Sequence, residues 1–393
     1  MLKDKPRPIV TVAGHPFAPI GMGTHIRSVH SSLRTARIRA VLLDIYGSDG
    51  TREEGAYQEF QKFSTSQFET PINIFCLNGD EIVPSFCHKG INDLGEIGNF
   101  NIAYPMWELP KYPTKWVEQL ARFDEVWAPS LFVEEALRTE LGAKVRHMPI
   151  ACEVRARSLR SRKSFGIPDD PFAFLMSFDF SSYLGRKNPF AAVKAFYRMR
   201  DSVNNEVSLV IKVKNGESRP GDYREFREEI RTISDSVTLI DETLTPEDMV
   251  TLISLCDAYL SLHRSEGFGL GMAEAMNLGR PSVCTSWSGN MDFCDAQTSQ
   301  LVGYNLIPVQ PGEYPCYEGQ TWADPDVGDA AKLMAELVDD PGLYAQKSLE
   351  GRIKMKTDFS YLAIGLRYAH RIKEILSGID DVRSGPKALQ PVS

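Results

Sequence analysis

The chain contains no apolar run long enough to span a bilayer, and its start, Met1-Leu2-Lys3-Asp4-Lys5-Pro6-Arg7-Pro8, lacks the apolar core of a signal peptide. Positive charge is not in excess either. Asp and Glu number 52 against 44 Lys and Arg, for a net charge of -8, whereas bulk nucleic-acid binding calls for a basic surface. Cysteine is sparse and unpatterned: Cys76, Cys87, Cys152, Cys256, Cys284, Cys294 and Cys316 are odd in number and never spaced as CxxC. That usage fits a reducing compartment and implies neither a disulfide frame nor a zinc site. A third glycine is also missing near the start. Gly21 and Gly23 follow the first apolar run, but Ile26 stands where a dinucleotide fingerprint needs glycine. The expectation is a cytoplasmic enzyme with no nucleic-acid partner and no cofactor.

The 393 residues exceed what one core usually serves, so two domains of roughly 150 to 200 residues are expected. Apolar runs at 9–13, 40–45, 72–76, 101–104 and 125–127 alternate with amphipathic stretches, and the pattern returns at 172–178, 207–213, 237–240, 258–262 and 281–285. Continuous apolar strands between helices imply parallel sheets covered on both faces. The fold class is therefore α/β, with two doubly wound Rossmann-like domains facing across a cleft. Helix starts are marked by Asn188-Pro189 and by Thr245-Pro246-Glu247-Asp248, and Gly279 ends the short helix before Arg280-Pro281. Expected boundaries are a first domain at 1–155, a second domain at 165–358, a helix at about 360–378 that packs back on the first domain, and a flexible tail at 379–393.

The densest signal is Ser265-Glu266-Gly267-Phe268-Gly269-Leu270-Gly271-Met272-Ala273-Glu274. It reads as strand end, tight loop and helix start, with glycines that let backbone approach a ligand and helix N–H groups that favour phosphate. Glu266 in the loop and Glu274 about one turn into the helix can face one cleft, where carboxylates accept hydrogen bonds from hydroxyls. The plain alternative for Glu274 is a first-turn helix glutamate favoured by the dipole. A second segment, Gly185-Arg186-Lys187-Asn188-Pro189, follows the first strand of the second half and places cations at the same sheet edge. A diphosphate between two hydroxyl-rich groups, as in a nucleotide-sugar, suits this layout.

These residues, with Glu274-Ala275-Met276, Ser288-Gly289-Asn290-Met291-Asp292, Trp322-Ala323-Asp324-Pro325-Asp326 and Trp107-Glu108-Leu109-Pro110, resemble the E-x7-E pattern of retaining glycosyltransferases of glycosyltransferase family 4, which have the two-domain GT-B fold. The resemblance implies that Glu266 holds the transferred sugar and that Gly267, Phe268, Gly269 and Leu270 surround sugar and phosphate. It implies that Glu274 holds the ribose, that Lys187 with Arg186 balances the leaving diphosphate, and that Leu239 and Ile240 flank the base. In the first half, Gly21 and Gly23 offer amides to the donor. His15, His25, Trp107 and Glu108 are acceptor-side candidates, with Glu108 as an orienting group or base and solvated loop histidines as the plain alternative.

Two departures from that pattern stand out: Asp179, Ser181 and Ser182 occupy a region where many members carry an arginine, and Asp292 replaces a glutamate. Asp324-Pro325-Asp326 resembles a metal-binding D-x-D, but it directly precedes a helical run and is better explained by capping, so no metal is expected. The implied activity is retaining, metal-independent transfer of a hexose to a glycan or lipid-linked glycan. GDP-mannose is the first donor expected and a UDP-sugar the second, in bacterial polysaccharide or lipopolysaccharide assembly. Arg27, Arg34, Arg37 and Arg39, with the basic stretch 155–163, could meet the inner face of the membrane, with solvated helix and loop faces as the plain alternative. A glycoside phosphorylase and a non-catalytic nucleotide-sugar-binding subunit are the alternatives.

Overall fold

The computed structural model describes residues 9–47, 52–98, 100–231 and 234–384. Seven parallel strands form the first sheet: β1 (Val10–Gly14), β2 (Ala40–Asp44), β3 (Ser64–Thr65), β4 (Ile72–Phe75), β5 (Phe100–Ala103), β6 (Glu125–Ala128) and β7 (Val145–His147), in the order β3-β2-β1-β4-β5-β6-β7. Strands β1, β4 and β6 are buried along their whole length, which is why their sequences run largely apolar rather than alternating, with Thr11, Asn73 and Glu125 as buried polar exceptions.

The second sheet comprises β8 (Phe172–Asp179), β9 (Val207–Lys214), β10 (Val237–Ile240), β11 (Ala258–Ser261), β12 (Ser282–Thr285) and β13 (Ser299–Val302), again all parallel, in the order β10-β9-β8-β11-β12-β13. Both are doubly wound, so the two-domain α/β architecture expected from the strand pattern is the one observed. In each sheet the order reverses beside the first strand, between β1 and β4 and between β8 and β11. Loops leaving neighbouring strands there turn to opposite faces and open a crevice at the carboxyl edge.

Several elements escape the apolar pattern, the strands β3, β7 and β13 among them. An antiparallel hairpin, β14 (Tyr304–Pro308) and β15 (Thr321–Pro325), follows the second sheet, and β14 is mostly exposed. The helix Pro341–Asp358 precedes the last helix, Tyr361–Ser384, which continues past residue 378. Of the tail expected at 379–393, residues 385–393 lie outside the described residues. Asn188 does not cap the helix Pro189–Arg200 with its side chain; Pro189 opens that helix, and the Asn188 amide instead donates to the Leu262 carbonyl (3.0 Å). Thr245 does cap, accepting from Asp248 N (3.1 Å).

The last helix lies against the first helix, Gly21–Thr35, and the edge of the first sheet. Tyr368 is fully buried, stacks on Trp127 with ring centroids 5.0 Å apart, and donates to the Pro149 carbonyl at 2.7 Å. Arg371 pairs with buried Glu125. The chain thus leaves the first sheet after β7 and returns to it near Phe359, and the two crossings touch where Cys152 N donates to Phe359 O (2.8 Å).

Candidate active site

The two loops at the switch point of the second sheet carry the residues singled out above. After β8 the chain passes through Tyr183 (φ 61) into the short helix Leu184–Lys187 and out through Asn188 (φ 49). Two non-glycine residues in left-handed conformations flank the dibasic pair, a strained arrangement that the surrounding contacts must hold. After β11, Arg264 N donates to Arg186 O (2.8 Å), which fastens one loop to the other. Arg186 Nη1 then lies 3.1 Å from Ser265 O and 3.2 Å from Glu266 Oε2, and Lys187 Nζ pairs with Glu266 Oε1. The structure therefore brings Glu266, Lys187 and Arg186 together in one largely buried ion cluster.

Burial is the largest single effect on the Glu266 carboxyl and would raise it, but Lys187 and Arg186 together outweigh it and hold the group down to about 2. Burial also draws the Lys187 ammonium below its usual value, with Glu266 offsetting part of the effect. Such a cluster tolerates the loss of neither sign, because a deleted partner leaves a desolvated charge behind.

Glu274, on the helix Leu270–Asn277, is in a different state. Burial pushes its carboxyl up to about 7. The described residues offer it no hydrogen bond or ion pair. Gly269 (φ 97) makes the turn into that helix, and Gly267 lies so close to the first domain that an added Cβ would sit 2.7 Å from Trp107 O.

These groups line one cavity of about 510 Å³ between the domains. Glu266, Gly267, Phe268, Gly269, Leu270, Glu274, Arg186 and Lys187 face it from the second domain, and Gly21, Asn78 and Glu108 from the first. Glu108 accepts a hydrogen bond from Tyr314 Oη (2.6 Å), and its backbone carbonyl accepts one from Ser265 Oγ.

Other predicted residues do not reach the cavity. Leu239 and Ile240 lie on the edge strand β10 and are absent from the lining. Met176, Phe178 and Met249 supply the apolar wall instead. Gly23 is buried against the Ala18 carbonyl, and its neighbour Thr24 lines the cavity. His15 pairs with Glu81 (3.2 Å) and stacks on Tyr46. His25 is fully buried, edge-on to Tyr104, and burial lowers its imidazole to about 3, so it stays neutral. Trp107 turns its ring away to donate to Lys111 O (2.9 Å).

The two departures in pattern also find places. Asp292 reaches across the interface to accept from Leu131 N (3.1 Å) and to pair with His147 (2.7 Å). Asp179 is occupied by Ser181 N and the Asn215 amide. Asp326 caps the helix Val327–Asp339 and Asp324 meets Arg264 (3.2 Å). Among the described residues no three or more His, Cys, Asp or Glu side chains converge as a metal site would need.

Residues 158–304 match the family described as "Glycosyl transferases group 1". Over that stretch the second domain is similar to group 1 glycosyltransferases. The resemblance drawn from the sequence is borne out at that level. Among solved structures, the chain is similar to HepE of Anabaena in complex with UDP-glucose, at 13% identity and a TM-score of 0.68 over 95% of this chain and 100% of that one. It is also similar to a glycosyltransferase of Rickettsia africae ESF-5 (12%, 0.69, 94% and 99%) and to a sucrose-phosphate synthase of Thermosynechococcus elongatus (13%, 0.67, 95% and 100%). At such identities the likeness speaks for the fold alone, and that fold is GT-B. A search of curated proteins gave no match.

Proposed function

We propose that the protein is a retaining, metal-independent glycosyltransferase of family 4 that moves a hexose from a nucleoside-diphosphate sugar to a hydroxyl of a glycan or lipid-linked glycan. The observation that carries this reading is the shared cavity, in which two cations beside Glu266 sit near an unpartnered carboxylate, Glu274. Phosphates need the cations, and ribose hydroxyls need a free acceptor such as Glu274. Glu266 then holds hydroxyls of the transferred sugar. Lys187 and Arg186 stabilise charge that develops on the departing diphosphate, where preorganised cations act most strongly. Glu108 faces the same space from the first domain and is the group nearest in kind to an acceptor-orienting base.

For the donor, uridine diphosphate hexoses come first, because HepE was crystallised with UDP-glucose and TarM of S. aureus with UDP. GDP-mannose, the first expectation from the sequence, becomes the second choice. A galactosyltransferase of the lipopolysaccharide outer core, WaaB, has a similar fold (14% identity, TM-score 0.62, 94% of this chain and 100% of that one covered), which agrees with a glycan acceptor in surface-polysaccharide assembly. No helix among the described residues is long and apolar enough to cross a membrane. Contact with the membrane's inner face through the exposed Arg34 of the first helix and Arg37 just beyond it is part of the proposal, whereas Arg27 is taken up by Glu53 (3.1 Å) within the first domain.

The test is a panel of UDP, GDP, ADP and dTDP in a thermal-shift assay with EDTA present, followed by donor turnover for the nucleotide that stabilises. Stabilisation by UDP and release of UDP from UDP-glucose are expected. A wild-type protein that binds none of the four and turns over no nucleotide-sugar would refute the proposal.

A further inference from the structure

The hairpin β14–β15, outside the apolar pattern of either sheet, reaches across the cleft. Its connecting segment places Gln320 against the first domain, where the side-chain oxygen accepts from Lys111 N (3.1 Å) and the side-chain nitrogen donates to Lys111 O (2.7 Å). Lys111 Nζ donates to Gly319 O (3.1 Å). One buried amide thus satisfies both backbone groups of a residue in the other domain, as a paired strand would. The same segment carries Tyr314, whose ring is buried between Trp107 of the first domain (centroids 5.7 Å) and Tyr183 of the second (4.8 Å).

The Tyr314 hydroxyl donates to Glu108 Oε2 at 2.6 Å. Glu108 Oε1 has no protein donor among the described residues, and Glu108 lines the donor cavity. Tyr314 is not among the lining residues, and its hydrogen bond to one of them is the bond to Glu108.

We propose that Tyr314 is a positioning residue that fixes the Glu108 carboxylate across the domain interface, so that Oε1 is aimed at the incoming hydroxyl only when the hairpin is seated on the Lys111 segment. The inference rests on the donor reading of the cavity and adds to it a group that belongs to the other lobe. A carboxylate held at one oxygen by a charge-assisted hydrogen bond keeps its rotamer and leaves the second oxygen to accept a proton. Because donor and acceptor of this bond sit on different domains, an open cleft separates them and leaves Glu108 unoriented. Hydrolysis or transfer is then suppressed until closure.

The test is a double-mutant cycle of Tyr314→Phe and Glu108→Gln, read in two ways. The first reading is release of nucleoside diphosphate from UDP-glucose or GDP-mannose with water as acceptor, together with donor KM and diphosphate affinity. Tyr314→Phe keeps the ring contacts and is expected to lower kcat by about tenfold, the worth of one hydrogen bond to a charged group, with donor KM and diphosphate affinity unchanged. The double variant is expected to be no slower than Glu108→Gln alone. The second reading is the thermal midpoint, in which the two substitutions are expected to be non-additive because they break one bond.

Wild-type kcat in Tyr314→Phe, or losses in kcat that multiply in the double variant, would overturn the proposal. Coupling in the midpoint without coupling in kcat would reduce Tyr314 to a structural contact and overturn it too. A wild type with no nucleotide affinity defeats the donor reading instead, and the midpoint cycle still reports whether the Tyr314–Glu108 bond forms.

Discussion

Replacing Glu274 by Gln separates the stability of this protein from its ligand affinity in a pH-dependent way. In the unfolded chain the Glu274 carboxyl ionises at its ordinary value of 4.5, but in the folded cavity it does so at about 7 because burial disfavours the charge and no cation is there to restore it. The folded state therefore holds a proton that the unfolded state has released between those two values. Stability is full below 4.5, falls as pH rises through the window, and levels off above about 7. Every pH unit that separates the folded from the unfolded ionisation corresponds to about 1.4 kcal/mol. The group faces an open cavity where water screens part of the effect, so we expect a loss of about 1–3 kcal/mol.

Glu274→Gln cannot ionise and escapes that loss. Denaturation of wild type and variant at pH 4.5 and pH 8 measures it. The variant should gain on the wild type by about 1–3 kcal/mol between the two pH values while binding UDP at least tenfold more weakly at pH 8, the exchange of stability for function expected of a strained site. An unchanged difference between the two proteins across that range would refute the reasoning, since it would mean that the carboxyl already has a partner.

Ribose hydroxyls that bind ionised Glu274 pull its proton off, so calorimetric titration with UDP at pH 6.5 in buffers of differing ionisation enthalpy should report proton release in the wild type and none in Glu274→Gln. Glu266→Gln leaves Arg186 and Lys187 without their counter-charge and should lower stability by about 3 kcal/mol in a denaturant titration; addition of a nucleoside diphosphate, which brings negative charge to the same cations, should restore more of it than in the wild type. Gly267→Ala forces a Cβ against Trp107 O and should cost about 1–3 kcal/mol, visible as a lowered thermal midpoint together with lost turnover. Asp292→Asn removes the negative charge opposite His147 and weakens the cap on the helix Leu131–Leu141; a fall of about 1 kcal/mol is expected in the same assay.

The legible parts of this molecule are those governed by periodicity and by the sheet edge. Apolar runs between helices indicate parallel strands, parallel strands place their following loops at one edge, and so Arg186, Lys187 and Glu266 meet although 79 residues separate Lys187 from Glu266. What stayed hidden depends on the lobes coming together. Asp292 bonds across the interface to a residue 145 positions away, and Tyr314 to one 206 positions away; nothing local in either segment signals a partner so distant. The hairpin that carries Tyr314 has one strand mostly in solvent and hence no apolar run to betray it. Leu239 and Ile240 illustrate a different limit. Their apolar character marks them as strand, which they are, but the strand lies at the sheet's edge, and only the strand order shows that β8 and β11 stand nearer the cavity.

The two places where the backbone passes from one lobe to the other lie side by side, tied by the Cys152–Phe359 bond. A pair of crossings at one margin works as the spine of a book. The covers can swing about it, but sliding past each other would stretch both strands of the binding at once. Access to the interior is thus governed by one angle, and whatever grips the fore-edge, remote from that binding, does so with the longest lever.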